Sequence, residues 1–302
     1  MSYQMTLGYS LKSDDLWRFV AEIKPQIEVS LGDNLPFAPA AVETAFNEAV
    51  RYSVFPGGKR LRPVLTMLGA ELFGGQPKDV LNAAAAVEYI HTSSLIFDDL
   101  PCMDDSPHRR GKLALHEKFG EGLSTLVAIG FLNQAYQLVA LDGNGDHERS
   151  VNAILEIVDC VGPRGMVGGQ SVDLMIATGG ECKICSRSKF GGVLNLKTSS
   201  LIRLALRLGA ILSGGRGEQI AILSEFAEAL GHAYQISDDI IDLHQDASIL
   251  QNSKETNETK RSAETLAKKV AEAKRLLTDS FPPSQARERL EQLVDYVALR
   301  KN

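Results

Sequence analysis

Two groups of aspartates carry the chemistry that can be read from this chain. Asp98-Asp99-Leu-Pro-Cys-Met-Asp104-Asp105 and Asp238-Asp239-Ile-Ile-Asp242 lie about 140 residues apart, each inside an otherwise apolar stretch. Carboxylates there are costly unless something compensates them. Oxygen ligands at this density suit Mg²⁺, which keeps several waters and bridges one or two carboxylates to substrate phosphates. Two such groups facing each other would hold a diphosphate between them. Asp238 and Asp242, four residues apart, share one helix face. Asp98 and Asp104 are six apart, roughly 240° around an ideal helix. Pro101 offers the way out, because its ring ends or kinks a helix and frees the residues after it from the helical phase.

Cationic segments accompany the acids. Phe55-Pro-Gly-Gly-Lys59-Arg60-Leu-Arg62-Pro puts three cations after a glycine pair at an expected helix start, where backbone donors and the helix dipole favour an anion. His108-Arg109-Arg110-Gly-Lys112 follows the first acidic group directly, so metal and guanidinium could share one diphosphate. Lys197-Thr198 and Tyr234-Gln235 add a cation, a hydroxyl and an amide to apolar helices. Ordinary surface charge is the bland reading of any one of these, and their order along the chain argues against it.

The elements that must position these groups read as helices. Ser13 with Asp14-Asp15 looks like a cap leading into Leu16 to Val29, and apolar residues recur at helical spacing over Ala40 to Val54 and Leu61 to Leu72. Val80 to Leu100 is Ala-rich and apolar on nearly every side, as a buried helix should be. Further helices are expected over Leu123 to Leu141, Arg149 to Val161, Met166 to Met175, Leu194 to Leu212, Gly217 to Leu243, Ser262 to Leu277 and Ala286 to Arg300. No alternating strand pattern with hairpin turns stands between them. The expected fold is all-α: a single domain over residues 1–302, a bundle of roughly ten or more helices around a central cavity.

Composition narrows the function. With 44% apolar residues among 302, the chain can bury a large core, and no linker divides it. A net charge of −6 argues against a nucleic-acid partner, which needs a basic stripe. Four cysteines are too few and scattered for a disulfide framework, and Cys182-Lys-Ile-Cys185 has half the spacing of a zinc site with no second pair. The N-terminus lacks a secretory pattern, and no run of about 18 apolar residues stands out as a membrane span. A cytoplasmic protein is the expectation.

Gly57-Gly58-Lys59-Arg60-Leu61-Arg62-Pro63, the aspartate-rich segment ending in Arg109-Arg110-Gly111-Lys112, Gly169-Gln170-Ser-Val-Asp173, Lys197-Thr198 and Gln235-Ile-Ser-Asp238-Asp239-Ile-Ile-Asp242 occur in one order. In that order the chain resembles the trans-isoprenyl diphosphate synthases, with the isoprenoid synthase fold. The two extra residues between Asp99 and Asp104 resemble the geranylgeranyl and farnesyl diphosphate synthases of bacteria and plants. The resemblance implies a head-to-tail condensation in which an allylic diphosphate ionises, the double bond of isopentenyl diphosphate attacks the cation, and a proton is lost. It implies about three Mg²⁺ per site, bound with diphosphate by Asp98, Asp104 and Asp238 with Asp99, Asp173, Asp239 and Asp242 nearby. Arg109, Lys197 and Lys254 would hold the allylic diphosphate, and Lys59, Arg62, His91 and Arg110 isopentenyl diphosphate. Thr198 and Gln235 would turn dipoles toward the allylic cation. A homodimer is implied as well.

Two departures stand against the family pattern. Ala128-Ile129-Gly130-Phe131-Leu132 lacks an aspartate usual after the first motif, and the segment from Asn252 to Lys260 is shorter than the usual closing element. Two other readings therefore accompany the prenyltransferase: a non-catalytic partner subunit of another synthase, and a diphosphate-ionising terpene cyclase. Small Ser93 and Ser94, about one turn before Asp98, imply a channel long enough for a twenty-carbon product. The side to which Phe97 turns its ring is open at this stage.

Overall fold

The computed structural model describes residues 2–39, 45–142, 145–177, 196–249 and 257–300, with side chains described within 15–39, 45–142, 145–177, 199–241 and 260–300. The described residues are almost wholly helical: α1 (Ser2–Asp33), α2 (Ala45–Val54), α3 (Leu61–Glu71), a 3₁₀ turn (Pro77–Val80), α4 (Leu81–Asp99), α5 (Leu115–Phe119), α6 (Glu121–Leu141), α7 (His147–Val161), α8 (Met166–Ala177), α9 (Leu196–Leu212), α10 (Glu218–Ile249), α11 (Asn257–Ser280) and α12 (Gln285–Leu299). The all-α expectation holds.

Three local expectations do not. The cap at Ser13 is absent, because α1 begins at Ser2 and runs through it. A short hairpin, β1 (His108–Arg109) with β2 (Lys112–Leu113), interrupts the helices, and two-residue strands are too short to show alternation in sequence. Helix α6 is, by length and composition, long and apolar enough to cross a membrane, with 39% of its most apolar stretch buried inside the fold. Few polar side chains and a single charge, Glu121, give it that character.

Helix α4 is central. Ala83 to Val87, Tyr89 and Ile90 are all buried, since small side chains let α1, α3, α6 and α9 pack around one axis. The Tyr89 hydroxyl donates to the Leu31 carbonyl at 2.6 Å, which satisfies the one polar atom its ring brings into the core. Helices α3 and α9 cross with backbones in contact: a Cβ on Gly69 would lie 2.2 Å from the Leu206 carbonyl oxygen, and one on Gly209 1.9 Å from that of Thr66. A half-buried polar network ties α9 to α7. Arg207 pairs with Glu156 at 2.7 Å and Arg203 with Asp159 at 2.7 Å, while Arg203 Nε donates to Cys160 Sγ at 3.2 Å. Burial pushes the Cys160 thiol up to about 12, which makes it a packing group rather than a nucleophile.

Candidate active site

The last turn of α4 brings the first acidic group together. Leu100, with Pro101 behind it, leaves the helix with φ −59° and ψ 149°, the extended conformation that a following proline imposes. The chain then folds back. The Asp104 N–H donates to the Asp98 carbonyl at 2.9 Å, that of Met103 to Leu100 at 2.8 Å, and that of Ser106 to Asp99 at 3.2 Å. The phase difference across six residues is removed in this way, and Asp104 returns beside Asp98. Asp98 and Asp99 are buried and Asp104 is exposed, so the acids form a graded edge. Arg109 meets Asp99 with a forked contact: Nε lies 3.0 and 3.1 Å from its two carboxylate oxygens, and Nη2 also bonds Oδ1. That contact raises the Arg109 pKa, and the Asp98 and Asp104 charges add to the effect. Asp99 and Arg109, expected on metal and on diphosphate, are thus each other's partners here.

The hairpin aims the arginines. Arg110 and Gly111 form its two-residue turn with φ 52° and 75°, the pair of positive angles that matches the twist of a hairpin. Lys112 is drawn off to the Phe55 carbonyl at 2.8 Å and the face of Tyr52. Gly58 faces the tip, where a Cβ would stand 3.8 Å from Arg110 Cζ, so the glycine pair and the hairpin meet.

The three cations expected in one cradle separate. Arg60 turns inward: at φ 56° its side chain is buried, pairs with Glu88 at 2.6 Å and Glu28 at 2.9 Å, and donates to the Val54 carbonyl. It is a buried strut, which corrects its expected place in the anion cradle. Lys59 donates to the Tyr296 hydroxyl at 2.6 Å and lies over the rings of Tyr296 and Trp17. Arg62 and His91 stay with the site. Arg62 Nε and His91 Nδ1 are buried without a hydrogen-bond partner among the described residues. Burial pulls the Arg62 guanidinium below its usual range. Burial holds the His91 imidazole well below its usual pKa too, and the charges of Arg62, Arg110, Arg109 and Arg60 reinforce this, so it is neutral. Two buried polar nitrogens near the Arg110 charge leave hydrogen-bonding capacity that an anion would fill.

The second acidic group lies on α10. Gln235 is half-buried, Asp239 is exposed, and Asp238 pairs with Arg300 just beyond the end of α12 at 2.6 Å. Sequence reasoning missed Arg300 and Tyr296. The available signal was their four-residue spacing, which places two polar side chains on one face where the last helix ends. The side chains of Lys197, Thr198 and Asp242, and the whole of Lys254, Cys182 and Cys185, lie outside the described residues.

A cavity of about 230 Å³ opens at Asp98, lined by Ser93, Ser94, Phe97, Met103, Leu132 and Gln170 among others. Phe97 therefore faces the channel. Ser93 donates its hydroxyl to the Ala128 carbonyl at 3.0 Å and Ser94 to that of His91 at 2.9 Å, so both polar atoms are turned onto backbone. Gln170 Nε2 lies 4.0 Å from Met103 Sδ, joining α8 to the loop between the aspartates. Among the described residues no three carboxylates, imidazoles or thiolates converge into an all-protein metal cage. Hard oxygen donors in separate pairs fit a divalent ion whose shell is completed by water and diphosphate.

Known proteins resemble this chain in sequence and in fold. The chain is 40% identical over 207 residues to geranylgeranyl pyrophosphate synthase 11, chloroplastic, of Arabidopsis thaliana, covering 68% of this chain and 58% of that protein. It is 37% identical over 261 residues to the chloroplastic geranylgeranyl pyrophosphate synthase of Catharanthus roseus, covering 83% and 68%. The chain spans about three fifths of the length of the Arabidopsis relatives, 58% to 62% in three of them. Among solved structures, an apo FPP/GFPP synthase from Zymomonas mobilis superposes with a TM-score of 0.82 at 26% identity, covering 95% of this chain and all of the other. A geranyltransferase from Legionella pneumophila does so at 0.80 and 26%, covering 95% and 97%. The polyprenyl synthetase family model matches residues 43–297, a span that takes in both aspartate groups, the cationic residues and the cavity lined in part by Asp98, and the chain belongs to that family.

Proposed function

We propose that this protein condenses isopentenyl diphosphate head to tail with an allylic diphosphate and releases chiefly geranylgeranyl diphosphate. One observation carries the reading: an apolar cavity with Asp98 in its wall, so that an anionic head bound at the acidic edge would have Ser93, Ser94 and Phe97 beside its tail. Arg62, His91, Arg110 and Lys59 would hold isopentenyl diphosphate, and Arg109 and Lys197 the allylic diphosphate. Asp98, Asp104 and Asp238 would hold Mg²⁺, with Asp99, Asp239 and Asp242 beside them. When bound with diphosphate, magnesium supplies Lewis-acid neutralisation of the leaving group. The protein's own residues do the rest. The arginines fix both diphosphates so that the isopentenyl double bond lies against the allylic carbon. The apolar walls keep water from the cation formed when the allylic C–O bond breaks, and Gln235 and Thr198 would offer dipoles to it. The double bond then closes the new C–C bond, and the proton lost passes to the departing diphosphate.

A second copy of the chain would cover the apolar surface formed by Leu126 and Ile129 of α6 with Val151, Leu155 and Val158 of α7, all exposed here. Light scattering of the purified protein should give twice the chain mass.

The deciding experiment supplies Mg²⁺, isopentenyl diphosphate and each allylic diphosphate in turn, then chromatographs the dephosphorylated products. A twenty-carbon alcohol is expected, shortening toward fifteen in Ser93→Phe or Ser94→Phe. A wild-type product of ten or fifteen carbons refutes the channel argument. Absence of elongation with every primer favours the partner-subunit reading, and a cyclic hydrocarbon favours the cyclase.

A further inference from the structure

We propose that Arg300 is the resident counter-ion of Asp238 and that its displacement by metal and diphosphate releases Lys59 for the second substrate, so that the end of α12 couples the two halves of the site. The proposal rests on the reading of Asp238 as a metal ligand.

Arg300 is not a loose terminal cation. Its side chain is only 11% exposed against 49% for Asp238, its guanidinium carbon lies 3.7 Å from the centre of the Tyr234 ring, and Nη2 donates to the Tyr234 carbonyl at 2.7 Å while Nε donates to Ser237 Oγ at 3.1 Å. Every one of these contacts, with Asp238 Oδ1 at 2.6 Å, is to a single turn of α10. A cation that takes that oxygen must first move the guanidinium, which is also the group that ties the end of α12 to Tyr234 and Ser237 of α10. Arg300 is bound to the turn before it, since its backbone N–H donates to the Tyr296 carbonyl at 2.9 Å. Tyr296 in turn holds Lys59 by its hydroxyl, and packs edge-on against Trp17 with ring centres 4.8 Å apart. One short segment therefore withholds an oxygen from the metal and an ammonium from the isopentenyl diphosphate. Loading of one side therefore biases the other.

Trp17 is the sole tryptophan of the chain and reports on this contact without any turnover. Wild type, Arg300→Ala and Arg300→Lys are titrated with Mg²⁺ at fixed inorganic pyrophosphate, following Trp17 emission and, separately, the heat of binding. In wild type the emission should change over the same Mg²⁺ range as the heat. In Arg300→Ala half-saturating Mg²⁺ should fall by roughly threefold to tenfold, the range for an ion pair with one half-exposed partner, and the emission should start at the loaded value. Arg300→Lys, which keeps the charge but not the guanidinium contacts to Tyr234 and Ser237, should lie between. Unchanged or higher Mg²⁺ demand in Arg300→Ala, a lysine variant as permissive as alanine, or binding in wild type without a Trp17 response would each overturn the coupling alone. No heat of binding in wild type would instead overturn the metal reading of Asp238 and this proposal with it.

Discussion

The two acidic groups satisfy their charge in opposite ways. Asp99 is buried and takes its partner from the same segment, Arg109 ten residues on, across a turn and a hairpin that fold locally. Asp238 is half-exposed and takes one partner from the far end of the chain, where α12 must dock before Arg300 can reach it. The first half of the site is thus complete within one stretch of sequence, whereas the second depends on tertiary assembly. A local pair adds little loop-closure cost and is present whenever α4 is formed; a remote pair is only as permanent as the helix that delivers it.

The strongest way to break this contrast is to remove the carboxylates themselves. Asp98→Ala and Asp238→Ala should each lower turnover by about two to three orders of magnitude or more with the fold intact by circular dichroism, since each removes preorganised charge stabilisation. Wild-type turnover in both would sink the paired-cluster mechanism. Next in size, Arg62→Ala should raise the half-saturating isopentenyl diphosphate about 10- to 100-fold while leaving the allylic requirement nearly alone, as expected for losing one charged contact of about 1.5–3 kcal/mol. Equal changes for both substrates would show that the two diphosphate positions are wrongly divided.

Stability measurements sharpen the local-against-remote distinction itself. Asp99→Asn weakens a forked contact to a buried carboxylate and should cost about 1–2 kcal/mol in urea unfolding, while Asp238→Asn, at a half-exposed pair, should cost under about 1 kcal/mol. The reverse order would mean that docking of α12 is the tighter of the two.

A further effect expected is one of pH. Asp142 accepts from the Ala83 N–H at 2.9 Å and the Asn82 amide at 3.1 Å at the start of α4, yet burial lifts its pKa from 3.8 to about 6. A carboxyl whose folded pKa is raised binds its proton more tightly in the folded chain. Its contribution is therefore fully present below about pH 4 and is lost as pH rises through about 6. Relative to Asp142→Asn, wild type should lose up to about 2–3 kcal/mol of stability between pH 4 and pH 7. Parallel stability curves for the two proteins over that range would show that burial does not dominate there.

Long periodic helices were legible because a 3.6-residue repeat over ten or more residues is hard to mistake. The boundaries of α3, α4, α6 and α7 lie within two residues of those expected. Pro101 announced the turn that reunites Asp98 with Asp104, since a proline restricts both itself and its predecessor. The hairpin stayed hidden because Arg-Gly is not a typical turn pair and its strands are two residues long. Ser13 misled because a capping residue is only a local preference, overridden where the helix simply continues. Arg60 could not be told from Lys59 or Arg62 in sequence: a single left-handed residue reverses which way its side chain points, and the acids that claim it, Glu28 and Glu88, lie on two other helices. Arg300 was missed for a related reason, since its partners are 62 or more positions away.

The contact of α3 with α9 sets a limit on what this protein can become. Arg62 stands on α3 two turns before Gly69, and Lys197 on α9 before Gly209, so the helices proposed to bring the two substrates touch with nothing but backbone between them. Side-chain exchange cannot widen or narrow that gap by small steps; any Cβ there collides with a carbonyl. Under the proposed reaction, that contact would hold the distance between reacting carbons constant while the walls of the cavity remain free to vary, and a lineage built on this frame would change the length of its product far more readily than the way its units are joined.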